Sequence, residues 1–141
     1  MKNEKGITLI ALVITIIVLL ILAGVSIAML TGSNGILTKS TEAKSQTAIA
    51  EIKEQVTLAM NEILMNSNDS TNSTADSTNY PKTLSLSNIV AKINSNVGAN
   101  TATADTGSEV QMTYKYGSDT YTVKLNGTTS AVTGIESVTK N

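Results

Sequence analysis

From Ile7 to Leu30 the chain is a nearly unbroken apolar run, ITLIALVITIIVLLILAGVSIAML, with no charged residue inside it. As a helix rising about 1.5 Å per residue, this run would reach about 36 Å, enough to cross a hydrocarbon layer about 30 Å thick. Thr8, Thr15 and Ser26 can return their hydroxyls to carbonyls one turn earlier, so lipid tolerates them. The pattern breaks at Thr31-Gly32-Ser33-Asn34-Gly35, residue types that favour a turn or a bent helix. A second helical pattern follows from about Ile36 to Met65. There Ile49, Ile52, Val56, Ala59, Met60 and Ile63 recur at three- and four-residue spacing and form one apolar stripe. Lys44, Glu51, Glu54 and Asn61 lie on the opposite face, and Glu51, Lys53, Glu54 and Glu62 read as solvated charges, not as a catalytic carboxylate pair.

Asn66 to Asn79 is almost wholly Ser, Thr, Asn and Asp, a composition that cannot build a core and reads as an exposed loop closed by Pro81. Leu84, Leu86, Ile89, Val90 and Ile93 then predict a short helix around Ser87 to Asn94, with Ser85 or Ser87 as its cap. In the last third the period changes to two. Val110, Met112, Tyr114 and Tyr116 alternate, as do Tyr121, Val123 and Leu125, so two strands are expected, joined around Gly117-Ser118-Asp119. Asn126-Gly127 is the strongest hairpin signal in the chain and predicts a turn into a third strand within Thr128 to Thr133, with a fourth near Ile135 to Val138. The tyrosines are expected to pack between sheet and helix rather than to stack on a ligand. The fold class is therefore α+β: a long N-terminal helix with a small antiparallel sheet packed on its second half.

Composition narrows the chemistry. The chain has no cysteine and no histidine, so it has no disulfide, no thiol chemistry, no serine–histidine catalysis and no histidine metal ligand. No phosphate-cradling Gly-x-x-x-x-Gly-Lys-Ser/Thr loop or calcium-loop spacing of acids is present, and Asp69, Asp76 and Asp105 read as solvated loop acids. No cofactor and no enzymatic activity are expected. A net charge of −1 with lysine as the only basic type offers no tract for a nucleic-acid backbone. Asn68-Asp69-Ser70, Asn72-Ser73-Thr74 and Asn126-Gly127-Thr128 match the N-glycosylation pattern, a weak signal in so Asn- and Thr-rich a chain. There is no Leu-Pro-x-Thr-Gly near the end, so sortase attachment to a wall is not expected. The lack of Phe and Trp leaves a thin core, whose stability is expected to lean on neighbouring subunits.

The flank of the apolar run is more specific than the run. A secretory signal would show a shorter apolar core followed by a small-residue cleavage site, whereas here the glycine comes first. Lys2, Lys5 and the initial amine precede the span, which places the N-terminus in the cytoplasm and the rest outside. The order Lys5-Gly6 followed by Ile7-Thr8-Leu9-Ile10 resembles the processing site of type IV prepilins and pseudopilins. That resemblance implies cutting by a membrane prepilin peptidase between Gly6 and Ile7, with N-methylation of Ile7. It further implies extraction by an assembly ATPase and platform protein, and packing of subunits through Ile7, Leu9, Ile10, Ala11, Leu12 and Ile14 into a filament core. It covers about the first third of the chain. The chain departs from the pattern at Ala11, where the family usually carries a glutamate that compensates a neighbouring N-terminal ammonium.

On this reading residues 1–6 are a leader, 7–30 a transmembrane and filament-core helix, 31–65 its amphipathic continuation and 66–141 a small α+β head. Gly24, Gly32 and Gly35 are candidate hinge positions; the glycines either bend one long helix or let it stretch. The expected function is structural, a self-assembling subunit held first in the cell membrane and then in a surface filament. The competing expectation is a single-pass anchored binding module, or a minor pseudopilin of a secretion or DNA-uptake machine.

Overall fold

A computed structural model describes residues 4–68 and 84–141. Residues 1–3 of the leader, most of the polar loop with Asp69, Asn72 and Asp76, and Pro81 lie outside the described residues. The chain divides into two compact units, residues 1–44 and 45–141. Helix α1 spans Glu4–Thr31 and helix α2 spans Ile36–Asn68, so α2 begins in the first unit and ends in the second. It runs three residues past the expected end at Met65.

The second unit contains the rest of the fold: helix α3, Leu86–Asn96, and strands β1, Ala102–Ala104; β2, Gln111–Tyr116; β3, Asp119–Thr128; and β4, Ala131–Lys140. The four strands form an antiparallel sheet in sequence order. One face meets the helices. Ile52, Val56, Ala59 and Ile63 from α2 join Ile89 and Ile93 from α3 and Met112, Tyr114, Tyr121 and Val123 from the sheet in a single core. The expected α2 stripe is therefore the buried one, with Ala48 added and Ile49 only partly covered.

The other sheet face is polar. Thr103, Thr113, Thr122 and Thr139 stand opposite one another across all four strands, alternating with the buried residues of each strand. Alternation at period two forces this, since successive side chains leave opposite faces. Of the tyrosines, Tyr114 and Tyr121 are buried, and half-exposed Tyr116 packs edge-on against Tyr121 with ring centroids 6.4 Å apart.

Helix α3 starts at the expected cap. Ser85 is extended and its Oγ accepts from the Asn88 N–H at 3.3 Å, while Leu86, Ile89 and Ile93 supply the buried side. Asn94 then clamps the short strand β1: its Nδ2 donates to the Ala102 carbonyl at 2.9 Å and its Oδ1 accepts from the Ala102 N–H at 2.8 Å. The amide side chain thus substitutes for a strand neighbour. Nothing in the sequence reading anticipated β1.

Three expectations are corrected. Asn126-Gly127 is not a turn; it lies inside β3, at a shift in the β3–β4 register. Gly127 has φ +108, and a Cβ there would collide with the Ala131 carbonyl oxygen, so the glycine serves a bulged ladder instead of a hairpin loop. The loop is Thr129-Ser130, held from outside the hairpin: Leu86 N–H donates to the Thr129 carbonyl at 2.8 Å and Val132 N–H to the Leu84 carbonyl at 2.7 Å. The expected third and fourth strands are one strand, β4, because its two register shifts interrupt the alternation without ending the pairing. Finally, Glu51 and Glu62 are not merely solvated. Glu51 accepts from the Tyr116 hydroxyl, and Glu62 meets Lys92 of α3 at 2.7 Å and the Asn96 amide at 3.2 Å.

Candidate functional site

Every residue of α1 from Thr8 to Thr31 is exposed, although the helix is overwhelmingly apolar. Leu9, Leu12, Leu19 and Leu20 each leave more than half their surface uncovered, and Ala11 and Ile14 are exposed with them. None of the helix's most apolar stretch is buried within the chain. An apolar surface of this extent exceeds what a soluble monomer leaves to water. By length and composition α1 suffices to cross a membrane.

The helix also satisfies its own polar groups. Thr15 Oγ1 donates to the Leu12 carbonyl at 2.8 Å, Ser26 Oγ to Leu22 at 2.7 Å and Thr31 Oγ1 to Ile27 at 2.9 Å. Each hydroxyl is returned to the backbone, which is the condition for placing it in hydrocarbon. Gly6 and Ile7 lie on the helical backbone of α1, two and three residues from its start.

Of the glycines, Gly24 sits in mid-helix with open space where a Cβ would be, whereas Gly32 and Gly35 build the break between α1 and α2. Gly35 N–H donates to the Gly32 carbonyl at 2.7 Å, Thr38 Oγ1 donates to the same oxygen at 3.1 Å, and Lys39 N–H closes the first turn of α2 on the Gly35 carbonyl at 3.0 Å. A Cβ on Gly35 would meet the carbonyl oxygens of Leu30 and Gly32 at 2.6 and 2.8 Å. The break is therefore a specific hydrogen-bonded turn that only glycine permits.

No acidic residue occurs between Ile7 and Thr41; the first is Glu42, which is paired with Lys39 at 3.1 Å. In the second unit, the Lys92 hydrogen bond holds the Glu62 carboxyl below the usual carboxylate range, against a smaller opposing effect of burial, with Asn96 assisting. Burial, with the nearby Glu51 charge, pushes the Tyr114 phenol up, and the hydrogen bond to Glu51 does the same for Tyr116. Among the described residues, no group of three or more Asp and Glu side chains is arranged to hold a metal ion. The Glu62–Lys92 pair and the Asn94 clamp escape sequence reading because they join residues from separate elements, and neither residue type is distinctive in so Asn-rich a chain.

No family model, curated protein or solved structure matches this chain.

Proposed function

We propose that the chain is a structural subunit of a type IV pilus-like filament at the cell surface. The observation that carries this is α1: from Thr8 to Thr31 it has no charged residue and every residue is exposed, and the core of the second unit is built from that unit's own residues. Such a helix requires lipid or other apolar helices around it. A subunit that moves from membrane to filament core meets both in turn. The Lys5-Gly6-Ile7-Thr8 junction at the start of the run supports processing on the cytoplasmic side before assembly. On this reading the partners are further copies of the chain, a prepilin peptidase, and a platform protein with its ATPase.

Gly6→Val is expected to block processing, because the added side chain crowds the scissile junction. Mass spectrometry of material sheared from cells should find chains beginning at Ile7, N-methylated, and the variant should stay in the membrane fraction with residues 1–6 attached. Intact leader in assembled filaments would sink the proposal.

A second reading, a minor or tip subunit or a single-pass anchored module, is favoured by one observation. Removing the leader creates an ammonium at Ile7, yet no carboxylate follows until Glu42. An ammonium in an apolar core without a partner costs several kcal/mol.

A further inference from the structure

The chain contains two Asn-Gly steps, Asn34-Gly35 and Asn126-Gly127, and the structure treats them differently. In such a step the glycine nitrogen, unhindered by a side chain, can attack the Asn carboxamide carbon. The new N–C bond closes a five-membered imide, the amide nitrogen leaves as ammonia with the proton surrendered by the glycine N–H, and water then opens the ring. Opening at one carbonyl gives aspartate, and opening at the other gives isoaspartate. The net change is addition of water and loss of ammonia, with no oxidant or cofactor.

At Asn34 the attacking atom is occupied. Gly35 is buried, and its N–H donates to the Gly32 carbonyl at 2.7 Å. Cyclisation there requires dismantling the turn between the helices. At Asn126 the side chain is exposed, and among the described residues its carboxamide has no hydrogen-bond partner. Gly127 sits at the register shift of the β3–β4 ladder, where regular pairing is interrupted, with the Ala131 carbonyl oxygen close to its α-carbon.

We infer that Asn126 is a self-modifying site that converts spontaneously to aspartate and isoaspartate in the folded protein, while Asn34 is protected by its turn. The products change the neighbourhood. Asn126 lines an open depression of about 370 Å³ with Glu109, Lys124 and Glu136, in which Lys124 is bridged to Glu109 at 2.6 Å. Conversion adds a third carboxylate beside one lysine. Isoaspartate also adds a backbone methylene next to Leu125, whose N–H bonds the Val110 carbonyl at 2.8 Å.

The test is incubation of the full-length protein in detergent micelles at mildly alkaline pH, in ¹⁸O water, followed by peptide mapping and enzymatic isoaspartate methylation. A parallel sample is held in denaturant, and Asn126→Gln serves as the site control. The expected result is labelled aspartate and isoaspartate at 126 in the native sample, with Asn34 converting roughly tenfold more slowly until denaturant releases it, since one occupied N–H is worth about that factor. Conversion at 126 only in denaturant, or equal native rates at the two sites, would overturn the inference.

Discussion

At the scale of single residues, the two faces of the sheet make the sharpest distinction. Val123 is wholly buried and Thr122 faces the polar side, where its hydroxyl donates to the Asn141 carboxamide oxygen at 2.7 Å. Val123→Asp places an unpaired charge in the core and is expected to destabilise the second unit by about 3–5 kcal/mol. Thr122→Asp loses one surface hydrogen bond and should cost only about 1 kcal/mol. Thermal unfolding of the two variants checks this; similar melting temperatures would contradict the register. This alternation was legible in the sequence because period two is a local property. The role of Gly127 was not, since a glycine at positive φ serves a turn or a bulge equally well, and only the approach of Ala131 distinguishes them.

At the scale of elements, α2 and α3 are tied by their shared apolar surface and by Glu62 with Lys92 and Asn96. The Glu62 carboxyl is held below its ordinary value when folded, so the unfolded chain binds that proton more readily. The pair therefore contributes its full stability above the unfolded carboxylate pKa of about 4.3, and that contribution is lost as pH falls through the lowered folded value. The Glu62 side chain is 42% exposed, so solvent screening keeps the effect modest. Glu62→Gln should lower the melting temperature near neutrality, and the difference from wild type should shrink steadily toward the acid end. A difference that does not change with pH would show that the pair makes no charge-dependent contribution. Helix α3 and its Ser85 cap were readable because capping and i, i+3, i+4 spacing are set within one element. The ion pair was invisible for the opposite reason: Glu62 and Lys92 are each ordinary surface residues until two helices bring them together.

At the scale of the whole molecule, the core of residues 45–141 draws only on that unit, so a fragment beginning at Ser45 is expected to fold cooperatively and stay soluble. The full chain should sediment with membranes or require detergent. An unfolded fragment, seen by far-ultraviolet circular dichroism, would mean that the first unit is needed for the fold. The filament proposal meets its hardest test at Ala11. In a major subunit whose geometry keeps the Ile7 ammonium near water, Ala11→Glu should leave incorporation unchanged or reduce it, because the new carboxylate enters an apolar environment without an assured partner. In a tip or minor subunit it should raise incorporation into the shaft by pairing with an adjacent terminus; counting labelled subunits along sheared filaments separates the two. By itself the sequence determined that a charge-free helix precedes an amphipathic one, that a capped helix follows, and that a hairpin of alternating strands spans Val110 to Leu125. Each of these depends on spacing within a single segment. Only the tertiary structure decided that Thr129-Ser130 is the turn, that Asn94 holds β1, that one long strand replaces two, and that Glu62 meets Lys92. Those outcomes depend on hydrogen bonds and charges between segments far apart in the chain, whose free energy exists only once the shared apolar core has brought them together.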